Sequence, residues 1–354
     1  RLRRHPHLFG AESDSPSRRH HRCHRPIKDV AKLAKVSPST VSRVLSGNPS
    51  ISDDTCKRVK NAVKELHYTP NTTARSLRCE KSKSIGVVFP DISGEFYATC
   101  ASAILKYARM SDYTVLFTES GHNLKAEKDS IKALLERRID GIIFIGDNSD
   151  IPLIQSIAAQ SIPIVTGDRK VGNIPSVTFN NRETVQEMVD SLYKSGCRKF
   201  MYVGETPTGQ SNLLNRYSGY TDALKKYSDT TSVIFLEKSL HGDKLKTARR
   251  LFTEKIITSL PDVIITSNDL IAQGIISAAH ENGINIPNDM QITGFDDSLS
   301  SAYFIPSVTT VSQNIDELAK RCFSMLMDLI NKKSAVSSII EQNIIARNSA
   351  KVNT

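Results

Sequence analysis

The sequence predicts a multi-domain chain in which a small all-α domain precedes a larger α/β domain with parallel strands. Three observations support this fold class. Short amphipathic helices fill residues 26–70, buried strands alternate with helices from residue 83 to residue 348, and 354 residues are enough for two or three domains. Alternation of strand and helix favours a parallel sheet that is covered by helices on both faces.

The first 25 residues differ from the rest of the chain in composition. They hold seven arginines and two acids, and they lack the apolar core of a secretory signal peptide. We expect a basic disordered leader, or translated sequence outside the natural start. The cluster of His20, His21, Cys23 and His24 allows a metal-binding tract as a second interpretation, although it lacks the paired spacing of a zinc module.

The next segment is typical of a helix-turn-helix. Apolar spacing predicts a first helix over residues 27–34 and a turn at residues 35–36. Ser37 is a good N-cap and Pro38 is a preferred first helical residue, so a second helix begins there. The expected buried positions of the two helices are Val30, Leu33, Ala34, Val41, Val44 and Leu45. The expected outward positions of the second helix are Pro38, Ser39, Ser42 and Arg43. Such a small, polar face with one arginine suits entry into the major groove of DNA.

A third helix follows a break at residues 46–49. We expect Ser52 to cap this helix, with Asp53 and Asp54 placed favourably for the helix dipole in the first turn. Its predicted buried stripe consists of Val59, Ala62, Val63 and Leu66. Three helices of this length complete a small domain over residues 26–70.

The distribution of charge also indicates a nucleic-acid partner. The formal net charge of the chain is +10. Residues 1–25 and residues 26–80 each carry a net charge of +5, whereas the remaining residues hold thirty basic and thirty acidic side chains. The positive excess therefore lies where DNA is expected, which is the pattern of a module that neutralises phosphates.

Four motifs carry a more specific resemblance. They are Ile27-Lys28-Asp29-Val30-Ala31, Val36-Ser37, Thr40-Val41-Ser42-Arg43-Val44-Leu45, and Tyr68-Thr69-Pro70-Asn71 with Ala74-Arg75-Ser76-Leu77. With these motifs the segment resembles, almost without gaps, the N-terminal domain of the LacI/GalR family of bacterial repressors. The resemblance implies base reading by Pro38, Ser39 and Arg43, and phosphate contact or helix support by Ser37, Thr40 and Ser42.

The same resemblance implies a hinge helix, from Asn71 to residue 78, that folds only on operator DNA. Leu77 would be an apolar wedge in a central base step, and Ala74 would lie beside it in the minor groove. An apolar wedge unstacks the step at a cost of about a few kcal/mol and bends the duplex, which widens the contact.

The rest of the chain alternates between strands and helices. The predicted strands cover residues 85–90, 114–118, 141–146, 162–166, 177–179, 200–204, 233–236, 263–267, 291–295 and 339–345, with helices such as 129–138 and 184–195 between them. Ligands of parallel sheets bind beyond the carboxyl ends of the strands, so the residues after each strand are the candidates for a binding site. Those positions carry Asp91, Ser93, Phe96, Tyr97, Asp168, Arg169, Asn268, Asp269, Asp296, Asp297 and Gln313, and Arg216 precedes the predicted helix that contains Gly219 and Tyr220. Carboxylates, amides, an arginine and aromatic rings suit a polyhydroxylated ligand.

Further motifs extend the resemblance to this part of the chain. They are Ile139-Asp140-Gly141-Ile142-Ile143, Arg216-x-x-Gly219-Tyr220, Ser267-Asn268-Asp269, Gly294-Phe295-Asp296-Asp297 and Pro306-Ser307-Val308-Thr309-Thr310-Val311. They resemble the type I periplasmic-binding-protein-like fold that the LacI/GalR family uses as its effector domain. The resemblance implies two subdomains that are crossed three times by the chain and close around an effector. By position, the implied effector residues are Asp168, Arg216, Asn268, Asp296 and Gln313, to which the strand-end argument adds Asp91 and Phe96; Asp269 and Asp297 are expected to be structural caps.

The predicted domain boundaries follow from these motifs. We expect a leader over residues 1–25, the DNA-binding domain over 26–70, a hinge and linker over 71–82, and the effector domain over 83–348. Within the effector domain, the first subdomain would comprise about 83–180 plus 312–338, and the second about 181–311 plus 339–348.

Several classes of protein are disfavoured by the sequence. Six cysteines stand singly without a CxxC pair, which suits a reduced cytosol and argues against a disulfide framework or a zinc site. No apolar run reaches the length of a membrane span. The segment at 204–211 follows a strand and resembles a phosphate loop, but Gln210 stands where such a loop needs lysine, so we expect no NTPase activity. No G-x-G-x-x-G follows the first strand and no G-x-S-x-G elbow is present, so we expect no other enzyme activity either. We also expect no cofactor.

These expectations combine into a cytoplasmic homodimeric repressor that binds double-stranded operator DNA. Its effector is expected to be a small molecule, a sugar or a sugar phosphate. A phosphorylated carrier protein and a purine-type corepressor remain open as alternatives, as do the operator sequence and the choice between inducer and corepressor.

Overall fold

The computed structural model describes residues 26–45, 47–68, 81–121, 123–146, 151–207, 211–227, 231–236 and 241–352. Its contacts divide the chain into two units, with the boundary between residues 80 and 81. The predicted leader and hinge helix therefore lie outside the described residues. Each unit has its own hydrophobic core.

The first unit consists of three short helices. They are α1 (Ile27–Leu33), α2 (Pro38–Leu45) and α3 (Asp53–Glu65). Their shared core is made of the small buried residues Val30, Ala31, Ala34, Val41, Val44, Val59 and Ala62. The turn between α1 and α2 passes through Lys35 in the left-handed region, at φ 53°, and closes with a hydrogen bond from the Val36 amide to the carbonyl oxygen of Ala31. The predicted helix-turn-helix is confirmed.

Two details of the first unit differ from the sequence prediction. Leu33 was expected on the buried face of α1, but 42% of its surface is exposed, and Ala31 takes the buried place. Because only α2 and α3 cover α1, a small residue fits against them more closely than a leucine. Ser52 was expected to cap α3 by accepting an amide, but its hydroxyl donates to Thr55 Oγ1 at 3.0 Å.

The second unit begins with a six-stranded parallel sheet in the order β11-β5-β4-β3-β1-β2. Its strands are β1 (Ser84–Phe89), β2 (Thr114–Glu119), β3 (Gly141–Ile145), β4 (Ile164–Gly167), β5 (Ser176–Phe179) and β11 (Ser338–Ile340). Helices α4 (Glu95–Met110) and α12 (Ile315–Ile330) cover one face, and α5 (Leu124–Glu136) and α6 (Ile151–Ala159) cover the other. Apolar residues of the central strands are buried on both faces, as a parallel sheet requires.

A four-stranded parallel sheet in the order β7-β6-β8-β9 forms the core of the other subdomain. Its strands are β6 (Phe200–Glu205), β7 (Thr231–Leu236), β8 (Val263–Thr266) and β9 (Gln291–Thr293). Helices α7 (Asn181–Lys194) and α8 (Asn212–Leu224) pack on one face. The other face holds α9 (His241–Leu251), which continues in a π-helical turn at Phe252–Ile256, and α10 (Asp269–Glu281). A short helix, α11 (Leu299–Tyr303), follows this sheet.

The chain passes between the two sheets three times, near residues 180, 313 and 341. At the second and third crossings, β10 (Thr310–Ser312) pairs antiparallel with β12 (Asn343–Ile345). The sequence predicted one strand over 339–345 and assigned 339–348 to the second subdomain. This prediction is wrong at its start, because residues 338–340 pair with β5 in the first sheet and a turn at residues 341–342 separates them from β12.

No helix among the described residues is long and apolar enough to cross a membrane. Four cysteines lie in the described ranges, at positions 56, 100, 197 and 322, and all four are free thiols. Within those ranges no group of three or more His, Cys, Asp or Glu side chains is placed to hold a metal ion.

The contact between α7 and α8 depends on a glycine. A Cβ atom on Gly219 would press against the carbonyl oxygen of Arg182 and approach Val185 Cβ at 3.1 Å. We therefore expect Gly219→Ala to push the two helices apart and to lower the free energy of unfolding by roughly 1–3 kcal/mol, as measured by urea denaturation of the full chain. Ser218→Ala, one residue earlier on α8, is the control and should change that free energy by less than about 0.5 kcal/mol. Equal stability of the two variants would contradict this account of the packing.

Candidate functional site

Small hydroxyl side chains surround the N-terminus of α2. Ser37 Oγ accepts a hydrogen bond from the Thr40 amide at 3.1 Å, so it caps the helix as the sequence predicted. The same oxygen lies 2.7 Å from Ser39 Oγ and 2.9 Å from Thr40 Oγ1. These hydroxyls and the positive end of the helix dipole form a surface that suits a phosphate.

The predicted DNA-reading residues lie together on the outer face of α2. Pro38, Ser39 and Arg43 are exposed, and Ser42 is half-buried. They share this surface because the opposite face of α2, with Val41 and Val44, is buried against α1 and α3. The predicted hinge residues Asn71, Ala74 and Leu77 lie outside the described residues.

The second candidate site is a cavity of about 340 Å³ in the second unit. Its walls are formed by residues that follow the strands of both sheets, together with the first turn of α4. Six of the seven predicted effector residues line it, namely Phe96, Asp168, Arg216, Asn268, Asp296 and Gln313. A cavity at this edge is expected, because the carboxyl ends of parallel strands meet there.

The Arg216 side chain has several polar partners at the cavity wall. Its guanidinium donates to Asn181 Oδ1 at 3.0 Å and to the carbonyl oxygen of Ser267 at 2.6 Å. It also lies 3.5 Å from an Asp296 oxygen and 3.6 Å from the ring centroid of Phe295. The side chain is only 7% exposed, so these acceptors and the aromatic face replace the water that a charged group loses on burial.

Asp296 contributes a carboxylate to the same cluster. The residue has φ 111°, a conformation that a residue with a side chain rarely adopts and that tertiary structure must stabilise. Its Oδ1 accepts a hydrogen bond from Gln313 Nε2. Burial raises the pKa of this carboxyl to about 7, although the nearby Arg216 charge acts in the opposite direction.

Two further polar residues, Gln313 and Asp168, line the cavity. The side-chain oxygen Oε1 of Gln313 is buried and has no hydrogen-bond partner among the described residues. Asp168 is buried, and its backbone oxygen accepts a hydrogen bond from Asn212 Nδ2, which connects the ends of the two sheets. A buried acceptor without a partner is costly, so the Gln313 oxygen is suited to a donor from a ligand.

Sequence reasoning missed several residues of the cavity wall. Glu205, the last residue of β6, is 7% exposed and lies 3.0 Å from Lys244 Nζ on α9. Asn268 Nδ2 lies 3.4 Å from the same Glu205 oxygen. The strand-end rule could have identified Glu205, since this residue directly follows the predicted strand over residues 200–204. Lys244 lies inside a helix, and nothing in the local sequence pattern distinguishes it from an exposed lysine.

Three of the predicted acidic positions have internal partners. Asp91 does not line the cavity; its carboxylate accepts a hydrogen bond from the Ser93 amide at 2.9 Å, within the turn that leads into α4. Asp269 accepts hydrogen bonds from the Ser298 amide and from Thr310 Oγ1, and burial raises its pKa to about 6. Asp297 forms an ion pair with Arg347 at 2.5 Å.

Comparison with known proteins identifies both domains of the chain. Residues 26–71 match the family described as "Bacterial regulatory proteins, lacI family", and residues 189–350 match the periplasmic binding protein-like domain. The HTH-type transcriptional regulator RegA of Clostridium saccharobutylicum is 30% identical over 331 residues, which are 91% of this chain and 98% of the relative. The chain belongs to the LacI family.

Other members of the LacI family also resemble this chain in sequence or in fold. The ribose operon repressor of Halalkalibacterium halodurans is 34% identical over 87% of this chain and 91% of its own length. A crystal structure of the Lac repressor dimer bound to operator and an anti-inducer has the same fold, with a TM-score of 0.80, 23% identity, and coverage of 92% of this chain and 98% of that chain. The predicted fold class is therefore confirmed.

The raised pKa of Asp296 predicts how stability depends on pH. In the unfolded chain the carboxyl has an ordinary pKa of about 3.9, so between about pH 4 and pH 7 the folded protein binds this proton more tightly than the unfolded chain does. The contribution of Asp296 to stability is therefore largest at low pH and is lost as the pH rises through about 7. We expect Asp296→Asn to reduce the fall in unfolding free energy between about pH 5 and pH 7 by roughly 1–2 kcal/mol, as measured by urea denaturation. Asp243→Asn, which changes an exposed carboxylate on α9, is the matched control; the same pH profile for both variants would contradict the assignment.

Proposed function

We propose that this LacI-family regulator is a sequence-specific DNA-binding repressor of a carbohydrate-utilisation operon. It is released from a pseudo-palindromic operator by a small-molecule effector, which is a sugar. The observation that carries the proposal is the coexistence of two different sites in one chain. One is a small polar helix surface with phosphate-binding character, and the other is a polar cavity that is lined from both sheets.

The DNA-binding part rests on the geometry of α2. In this proposal Ser37, Thr40 and Ser42 would contact phosphates or support the helix, and the exposed side chains of Pro38, Ser39 and Arg43 would meet base edges. The net positive charge of the first eighty residues strengthens association with any duplex, whereas the side chains of α2 would give the sequence preference. By the same family resemblance, Asn71, Ala74 and Leu77 would act at the central minor groove.

The effector part rests on the chemistry of the cavity. Arg216, Asn268 and Gln313 offer several hydrogen-bond donors and acceptors, Asp168 and Asp296 offer carboxylates, and Phe96 offers an apolar ring. This combination fits the alternating hydroxyl and C–H surfaces of a sugar. The name of the ribose operon repressor, a relative at 34% identity, is in agreement with a carbohydrate-linked role.

An exposed apolar stretch supports a homodimer. Leu299, Tyr303 and Ile305 lie within seven residues of one another on and after α11, and their surfaces are 70%, 79% and 86% exposed. Large apolar side chains that are grouped on a surface mark contact with another protein. A second copy of this chain is the proposed partner, because two reading helices are needed for the two halves of a pseudo-palindromic operator.

Regulation would follow from coupling between the two sites. An effector that binds more tightly to one arrangement of the two subdomains shifts the population towards that arrangement, and it lowers operator affinity if the favoured arrangement binds DNA less well. A corepressor would act through the same coupling with the opposite sign. We place this activity in the cytoplasm, where operator DNA and reduced thiols occur together, and we propose no enzymatic step.

Two variants separate the sites. Arg216→Ala removes a guanidinium from the wall of the cavity, so it should abolish the effect of an effector on operator release. Operator affinity without effector should stay within about threefold of the wild type.

Arg43→Ala should lower operator affinity by about tenfold or more, because a lost base contact costs about 1–3 kcal/mol, and effector binding should persist.

The measurement is a fluorescence-anisotropy titration of operator DNA selected from a random pool, with and without effector, after circular dichroism has shown that each variant is folded. Release of Arg216→Ala at the wild-type effector concentration would contradict the assignment of the cavity. Wild-type operator affinity in Arg43→Ala would contradict the assignment of α2.

A further inference from the structure

A buried ion pair lies in the cavity wall apart from the Arg216 cluster. Lys244 Nζ lies 3.0 Å from Glu205 Oε2, and the two side chains are 17% and 7% exposed. Both residues line the cavity, as does Asn268, whose Nδ2 lies 3.4 Å from the same oxygen. Taking two charges out of water has a large desolvation cost that a single contact between them does not necessarily repay.

The pair retains unused hydrogen-bonding capacity towards the cavity. Among the described residues, Glu205 Oε1 has no hydrogen-bond partner, and Lys244 uses one of its three donor positions, on Glu205. A carboxylate only accepts hydrogen bonds and an ammonium only donates them. The pair therefore presents one acceptor and one donor side by side, which matches two neighbouring hydroxyl groups on a ring.

The charges of the cavity indicate the kind of ligand that would approach this pair. Its lining contains six carboxylates and two cations, which are Glu95, Asp168, Glu205, Asp269, Asp296 and Asp297 against Arg216 and Lys244. Asp297 is paired with Arg347, and Glu95 accepts hydrogen bonds from the Leu299 amide and the Ser300 hydroxyl, so both are engaged elsewhere. Asp269 is likewise engaged, with the Ser298 amide and Thr310 Oγ1. The other three carboxyl groups, of Asp168, Glu205 and Asp296, still outnumber the two cations, and each cation already has an acidic neighbour. A phosphate or carboxylate on the ligand would therefore meet like charges in a site of low dielectric.

We propose that Glu205 and Lys244 form a specificity-determining subsite that binds two adjacent hydroxyl groups of an uncharged sugar. Glu205 accepts a hydrogen bond from one hydroxyl, and Lys244 donates a hydrogen bond to the next. The cavity binds sugar phosphates and sugar acids more weakly than the uncharged sugar. This inference rests on the proposed function of the cavity as an effector site, and it narrows the effector class. It also assigns a role to two residues that the strand-end argument did not select.

The test begins with isothermal titration calorimetry of the full chain against uncharged sugars and their charged derivatives. The probes are D-ribose, D-xylose, D-glucose and cellobiose, with D-ribose 5-phosphate, D-glucose 6-phosphate and D-gluconate as the charged set. We expect at least one uncharged sugar to bind. Its phosphorylated or oxidised derivative should bind at least about tenfold more weakly, because its negative charge would meet carboxylates in the cavity. A tenfold change in affinity corresponds to about 1.4 kcal/mol of binding free energy.

The variant that isolates the subsite is the double change Glu205→Gln with Lys244→Met. A single change would leave one buried charge without a partner and could unfold the protein, whereas the double change removes both charges at similar side-chain volume. Lys246→Met, which alters an exposed lysine on the same helix, is the matched control. Thermal melting of each protein is recorded first, so that a loss of binding is not confused with unfolding.

We expect the double variant to bind the sugar about tenfold or more weakly than the wild type, and the Lys246→Met protein to bind within about twofold. Singly deoxygenated analogues of that sugar supply the second readout. Removal of either of two adjacent hydroxyls should weaken binding to the wild type but have little further effect on the double variant. This non-additivity identifies a direct contact, which a merely structural pair would not produce.

Three results would overturn the proposal. They are binding of the sugar to the double variant within about twofold of the wild type, additive effects of every deoxygenation, or tighter binding of a phosphorylated sugar than of its parent. Any of these results leaves the proposed effector site intact if the wild type binds a sugar. If the wild type binds none of the probes, the sugar-effector part of the proposed function fails, and the inference fails with it.

Discussion

The buried guanidinium of Arg216 is the interaction on which the effector cavity depends. A cation that is 7% exposed must be surrounded by acceptors, and it receives them from the start of α7, from the end of β8 and from the residues after β9. Each of these acceptors comes from a different segment of the second subdomain. The position of one charged group therefore fixes how the helices and strands converge on the cavity.

The Arg216 charge also determines what surrounds it. Asp296 lies beside it in a left-handed backbone conformation, Gln313 donates to Asp296, and the Gln313 side chain keeps a buried acceptor oxygen without a protein partner. Arg216 lies on α8 and Gln313 lies at the second crossing of the chain, so the polar cluster connects segments that are about one hundred residues apart in sequence. A ligand that completes these hydrogen bonds would stabilise the arrangement of the two subdomains in which the cluster is formed, and this makes the cavity suited to regulation.

Much of this arrangement could be predicted from the sequence, because it follows from local rules. The capping role of Ser37 depends only on its position before a helix, and the sequence pattern located it correctly. The strands that alternate with helices were found for the same reason, and the rule that ligands bind beyond their carboxyl ends led to Asn268 and Asp296, whereas Arg216 followed from the family resemblance. The type of residue after each strand was enough to suggest a polar cavity.

The remaining details depend on tertiary contacts that no local pattern contains. Leu33 has the spacing of a buried residue but is exposed, because α1 is covered on too narrow a face. Asp91 follows a strand like the other candidates, yet its carboxylate closes a turn onto Ser93. Lys244 lines the cavity because α9 packs near β6, whose last residue, Glu205, forms an ion pair with it. Residues 339–345 read as one apolar strand, although they are divided between two sheets at a crossing.

The central claim is that the cavity and the helix surface are coupled sites of one regulator. The most direct test consists of two measurements on the full chain. The first is its affinity for selected operator DNA with and without the sugar that binds the cavity, and the second is its affinity for that sugar with and without operator DNA. Linkage requires both ratios to be the same factor, and a coupling of about 1–3 kcal/mol makes that factor about 5 to 150. Equal reciprocal ratios in this range are the predicted result. Operator affinity that does not change when the sugar saturates the cavity would contradict the account.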